Sequence, residues 1–157
     1  MIKLVQKFFS PAGKGREAGQ SETHDVRVAA CALLLEMADI DGEFSSKEKR
    51  LIVSTLREHY GLPEEAAQDL LDTAAREVEG SIDLWRFTNL INRHYTREEK
   101  EQVLELVWHV ALSDRNLNRH EDYLAHKLGD LLRLDHRQLI DAKLRARRRV
   151  EGQKTSS

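Results

Sequence analysis

Apolar residues recur at helical spacing along almost the whole chain, and no stretch shows the sustained apolar–polar alternation of a half-buried strand. Residues 2–9 place Ile2, Leu4, Val5, Phe8 and Phe9 on one face and Lys3, Gln6 and Lys7 on the other, which predicts a short amphipathic helix. Ser10-Pro11-Ala12-Gly13-Lys14-Gly15 breaks that pattern, so residues 10–23 are expected to form a linker. Residues 25–38 are apolar nearly all round, as a buried central helix would be. The next stripe, Leu51, Ile52, Leu56 and Tyr60, predicts a helix over 46–60 that stops at Gly61. Pro63 suits the first turn of a helix carrying Ala67, Leu70, Leu71, Ala74 and Val78 inward. Gly80-Ser81 separates it from one with Leu84, Trp85, Thr88, Ile91 and Tyr95 on a single side. Thr96-Arg97-Glu98-Glu99 is a capping box opening a helix over 97–113, with Val103, Val107, Val110 and Ala111 inward. A helix over 119–133 carries Leu124, Leu128 and Leu131, and Asp135 caps a last helix reaching about Arg149. The prediction is an all-α fold of seven or eight helices, with an amphipathic segment and linker at 1–23, a helical domain at 24–145 and a basic tail at 146–157.

Within that pattern one stretch occurs twice. Asp41-Gly-Glu-Phe-Ser-Ser-Lys-Glu48 returns as Asp114-Arg-Asn-Leu-Asn-Arg-His-Glu121, offset by 73 residues. At the same offset Ala38 matches Ala111, Phe44 matches Leu117, Ser45 matches Asn118 and Leu51 matches Leu124. The chain therefore holds two copies of a helix–acidic loop–helix unit, and copies packed about an approximate two-fold axis would bring two aspartates and two glutamates together. Hard divalent cations take oxygen ligands, and several carboxylates supply the compensating charge. Asp39, Glu43, Asn116 and Asn118 offer further oxygens. The loop is not an EF-hand: with Asp39 in first place, Phe44 stands where that loop needs Gly and Arg50 where it needs Glu. Helix capping is the competing explanation. Ser45-x-x-Glu48 is a capping box and Asn118-x-x-Glu121 a variant of one, and a glutamate there also complements the helix dipole. Capping accounts for the glutamates; it does not account for an aspartate at the same distance before each of them.

The doubled pattern, Ala38-x-x-Asp41-Gly42-x-Phe44-Ser45-x-x-Glu48 with Ala111-x-x-Asp114 through Glu121, resembles the TerB family of tellurite-resistance proteins, a domain also found in the membrane-anchored co-chaperone DjlA. The resemblance covers about residues 24–145. It implies an all-helical TerB-like fold and a metal site made by Asp41 and Glu48 from the first loop and Asp114 and Glu121 from the second. The expected function is then a non-catalytic, stress-associated regulatory scaffold holding a Ca²⁺, Mg²⁺ or Mn²⁺ ion. The alternative is a protein-interaction module whose acids only cap helices. Arg115 stands where the first copy has Gly42, placing a cation beside the second loop.

Composition narrows the picture. With 157 residues, 40% hydrophobic and 33% charged, two prolines and eight glycines, the chain is long enough for one substantial core and suits a helical domain. Cys31, the single cysteine, excludes an internal disulfide and lies in an apolar run, as a buried small hydrophobe. No membrane-spanning stretch and no secretory leader is visible, so a cytoplasmic location is expected. The net charge of −2 conceals basic ends: residues 1–16 and 143–157 carry ten lysines and arginines against one acid, and the body between them is acidic. An acidic body repels nucleic acid, so none is expected as a partner. The basic, apolar segment 2–9 makes peripheral membrane contact an expectation beside a protein partner. Seven histidines are scattered without metal-ligand spacing. No nucleophile motif, phosphate loop or cofactor fingerprint is present, so no catalysis is expected. Trp85 and Trp108 lie on helical stripes and are expected in the core.

Overall fold

The computed structural model of the protein describes residues 14–38, 45–79, 83–113 and 119–155. Among them are seven helices and no strand: α1 (Lys14–Ala38), α2 (Ser46–Tyr60), α3 (Glu64–Glu79), α4 (Leu84–His94), α5 (Arg97–Leu112), α6 (Arg119–Leu131) and α7 (His136–Thr155). The amphipathic segment 2–9 lies outside the described residues. None of the described helices is long and apolar enough to cross a membrane.

Two boundaries differ from the sequence expectation, both in the direction of longer helices. The linker expected over 10–23 gives way at Lys14, where α1 begins. No proline lies between Pro11 and the end of α1, and Arg16, Glu17, Ala18, Gln20 and Glu22 are good helix formers. Extending a helix already nucleated over the buried stretch adds one hydrogen bond per residue, which offsets the roughly 1 kcal/mol that Gly15 and Gly19 each cost. At the other end, the basic tail expected over 146–157 is instead the second half of α7 as far as Thr155. Ala146 is fully buried and Val150 is 9% exposed, so this half carries an inward face of its own.

The core is built on the two most apolar helices, α1 and α5, which pack on each other. Cys31, Leu33, Leu34, Leu104, Val107 and Trp108 are all essentially inaccessible. Burial also pushes the Cys31 thiol well up, which keeps it protonated and inert. Trp85 is a correction: it is 57% exposed. Phe87, Thr88 and Ile91 form the buried face of α4, and Trp85 sits beside that face in the first turn, its backbone N–H held by Asp83 at 2.9 Å.

The duplication read in the sequence reaches further than its two loops. α1–α2–α3 and α5–α6–α7 are equivalent three-helix units. The contact pattern is reciprocal: α1 packs on α3 as α5 packs on α7, and α2 touches α5 as α6 touches α1. Both middle helices end in the left-handed conformation, at Gly61 (φ 65°) and Arg133 (φ 61°). Each end is closed by the same long hydrogen bond, from Leu62 N–H to Arg57 O at 3.1 Å and from Leu134 N–H to Gly129 O at 3.0 Å. These pairs are 72 residues apart rather than 73, so the second unit has lost one residue within its middle helix. The new offset holds through the third helix, where Ala67, Leu70, Ala74 and Val78 correspond to Leu139, Ala142, Ala146 and Val150 on the inward face. Among the described residues α4 has no counterpart. It packs on α1 and α6 and is tied to α6 by Asn92 Nδ2 donating to Leu131 O at 2.8 Å.

Candidate functional site

The two acidic loops join equivalent helix ends. α1 ends at Ala38 and α2 starts at Ser46; α5 ends at Leu112 and α6 starts at Arg119. Asp41 and Asp114, with Asp39, Glu43, Asn116 and Asn118, lie outside the described residues. The glutamates lie within them, each the third residue of its helix. Glu48 completes a capping box: its Oε1 accepts from Ser45 N–H at 3.3 Å and from Ser45 Oγ at 3.1 Å, while its own N–H donates to Ser45 Oγ at 3.1 Å. Glu121 has a different environment, being only 5% exposed. A carboxylate taken so far out of water must be compensated by hydrogen bonds or by positive charge. Two copies of one motif therefore give one half-exposed capping carboxylate and one that the fold buries. Among the described residues no three His, Cys, Asp or Glu side chains converge as a metal-ligating group.

A second arrangement is made of residues that show no common pattern at first sight. α2 ends in His59-Tyr60, and α4 ends in His94 with Tyr95 as its cap. The two His-Tyr corners meet: Tyr60 Oη and Tyr95 Oη are 2.8 Å apart. The Arg27 guanidinium of α1 lies 4.8 Å from the centroid of the Tyr60 ring. These groups, with Val26 beside Arg27 and Glu99 and Gln102 from α5, line a cleft of about 420 Å³. Burial above all, and then the neighbouring Tyr95, pushes the Tyr60 phenol up, and burial likewise raises Tyr95, so both remain protonated. Burial first, and then Arg149, pushes His59 down and favours its neutral form. Glu99 is part of the capping box of α5, where its Oε1 accepts from Thr96 N–H at 2.8 Å.

A neighbouring cleft, also of about 420 Å³, shares His59 and Gln102 and continues along α5 to α7. Its two arginines are paired. Arg145 Nε reaches Glu105 Oε1 at 2.7 Å, and Arg149 lies 3.1 Å from Glu58 and 3.6 Å from Glu105. On sequence alone Tyr60 and Tyr95 pass for the ends of two apolar stripes, and His59 and His94 for unrelated surface histidines. The signal that joins them is the dipeptide His-Tyr closing two successive helices, each followed by a helix with an acidic first turn.

Compared with known families, the chain matches the one described as tellurite resistance protein TerB over residues 27–144. No curated protein and no solved structure matches the chain.

Proposed function

The chain belongs to the TerB family, and from that premise we propose that it is a non-catalytic regulatory scaffold, associated with stress or tellurite resistance, that binds a divalent cation through its two acidic loops. The ligand set is Asp41 and Glu48 from the first loop and Asp114 and Glu121 from the second. All four offer carboxylate oxygen, which suits Ca²⁺, Mg²⁺ or Mn²⁺ rather than a softer metal. The observation that carries this reading is the reciprocal packing of the two units. Equivalent loops on equivalent helix ends, related by exchange of the units, are the arrangement in which matched acids serve one ion. The burial of Glu121 adds to it, because an ion beside a buried carboxylate offsets the cost of desolvation. Bound between the loops, the ion would join the two units and couple its own concentration to the stability of the fold.

Thermal unfolding with chelator and with each of the three ions tests this. An ion that binds only the folded state raises stability by about 2.7 kcal/mol at a hundredfold excess over its Kd. Asp41→Asn combined with Asp114→Asn should abolish the gain. Coincident melting curves in chelator and in all three ions would rule the metal out.

A second reading has a specific observation in its favour: the Glu48 carboxylate is already engaged by Ser45. In that reading the acids cap helices and the domain is a protein-interaction module. Glu48→Ala then costs about 1 kcal/mol, as loss of a cap does, and by the same amount with or without ions.

A further inference from the structure

We propose that the cleft between the two His-Tyr corners is a binding site for a small carboxylate with a planar or aromatic body, independent of the acidic loops. The first support is how Arg27 is held. Its guanidinium carbon lies over the Tyr60 ring, 4.8 Å from the centroid, a cation–π contact. Among the described residues it enters no ion pair or hydrogen bond. The guanidinium donors lie in its plane, at the edge, where a carboxylate accepts two in parallel. The cation–π contact thus holds the charge at the cleft and uses none of its N–H donors.

The phenols give a second donor. Each hydroxyl carries one proton, and one proton suffices for the 2.8 Å bond between them. The other proton remains available, and neither phenol has a further partner among the described residues. The arrangement therefore sets a cation beside a pair of hydroxyls with one proton to spare.

The shape of the cleft sets the class of ligand. A volume of about 420 Å³ suits a small metabolite. Its walls include the rings of His59, Tyr60, His94 and Tyr95 and the apolar Val26, which favour a flat or aromatic body. Glu99 is the one carboxylate among the lining residues, and an oxygen of it is taken up by Thr96. The neighbouring cleft makes the contrast: Arg145 and Arg149 are paired with Glu105 and Glu58, so an anion there would have to displace a carboxylate.

The test is a titration of the full-length, ¹⁵N-labelled protein with sodium benzoate, sodium acetate and sodium phosphate, with sodium chloride at matched ionic strength as control. Saturable shifts are expected at Arg27 Nε–H and at the amides of Tyr60 and Tyr95, with benzoate binding more tightly than acetate. Loss of a hydrogen bond to a charged group weakens binding about tenfold or more, so removal of both hydroxyls in Tyr60→Phe/Tyr95→Phe should weaken benzoate by that factor and Arg27→Gln by at least as much. The double variant keeps both rings, so it serves alone if Arg27→Gln unfolds. Shifts no larger than those with chloride, undiminished benzoate affinity in the double variant, or tighter binding of inorganic phosphate at the same residues would each overturn the assignment.

Discussion

His109 is the residue whose burial has the clearest consequence. It is 2% exposed, and its Nδ1 has no hydrogen-bond partner among the described residues. Burial first, and then Arg149 of α7, pushes its pKa below the ordinary imidazole value of 6.5, while Glu58 of α2 and Glu105 of its own helix push the other way without prevailing. His59 and His24 are lowered by burial as well. In the unfolded chain these imidazoles take up protons near the ordinary value, and in the folded chain they resist. The unfolded state therefore binds more protons once the pH falls below 6.5, and stability, complete above that value, declines on acidification. Melting temperature should fall as the pH is lowered from about 7 to about 5, and His109→Leu should flatten the decline. An equally steep decline in that variant would place the sensitivity elsewhere. Little of this was legible in the sequence, because a histidine on a helix carries no mark of whether a neighbouring helix covers it. The doubled spacing of Asp41, Glu48, Asp114 and Glu121 is visible in the sequence, and of the four only Glu48 and Glu121 fall among the described residues. Arg27 and the two His-Tyr corners were not legible, because what joins them is the meeting of two helix ends and a ring beneath a cation.

At the scale of the element, the equivalent ends of α2 and α6 make a matched pair. Both require a residue at positive φ; the first copy has Gly61 and the second Arg133. A side chain in that conformation costs roughly 1 kcal/mol, and glycine avoids the cost. Arg133→Gly should therefore stabilise the fold by about 1 kcal/mol, and Gly61→Ala should destabilise it by about as much. A methyl group at Gly61 would meet no atom within 4 Å, so the second effect isolates backbone strain from packing. Denaturant midpoints of the two variants check both signs; shifts in the same direction would show that the two ends are not equivalent. The positions of all seven described helices could be read from apolar periodicity, because caps such as Thr96 and Asp135 and breakers such as Gly61 and Pro63 mark their limits. What misled was absence of apolar residues. Lys14–Thr23 and the end of α7 are polar enough to read as linker and tail, yet they lack any residue that stops a helix once begun. The third helix of the repeat escaped notice for a related reason. One residue fewer in α6 shifts the register, and α3 and α7 share inward apolar positions while differing on their solvent faces.

For the whole molecule, the two-unit architecture decides what the C-terminus is for. The counterpart of α7 is α3, which ends at Glu79, and at the offset of 72 the end of that helix corresponds to Glu151. The segment from Arg145 to Val150 is thus part of the repeating unit, although the match to the family ends at residue 144. Its inward side chains Ala146 and Val150 are buried, and its outward arginines bridge back to Glu105 of α5 and Glu58 of α2. A chain ending at Leu144 keeps the matched region and tests the assignment. Burial of a valine contributes about 1.5–3 kcal/mol, and burial of a methyl adds about 0.8 kcal/mol. The half-exposed ion pairs contribute little, roughly 0.2–1 kcal/mol each. The buried face therefore decides the outcome, and the truncated chain should lose about 3 kcal/mol. For a chain of this length that lowers the melting temperature by roughly 6–12 °C. Charge reversal of the arginines in the full-length chain should have a much smaller effect. If truncation leaves the melting temperature unchanged, the end of α7 is an appendage and the second unit is complete without it. If truncation and charge reversal are equally damaging, the bridges rather than the buried face hold α7 to α5.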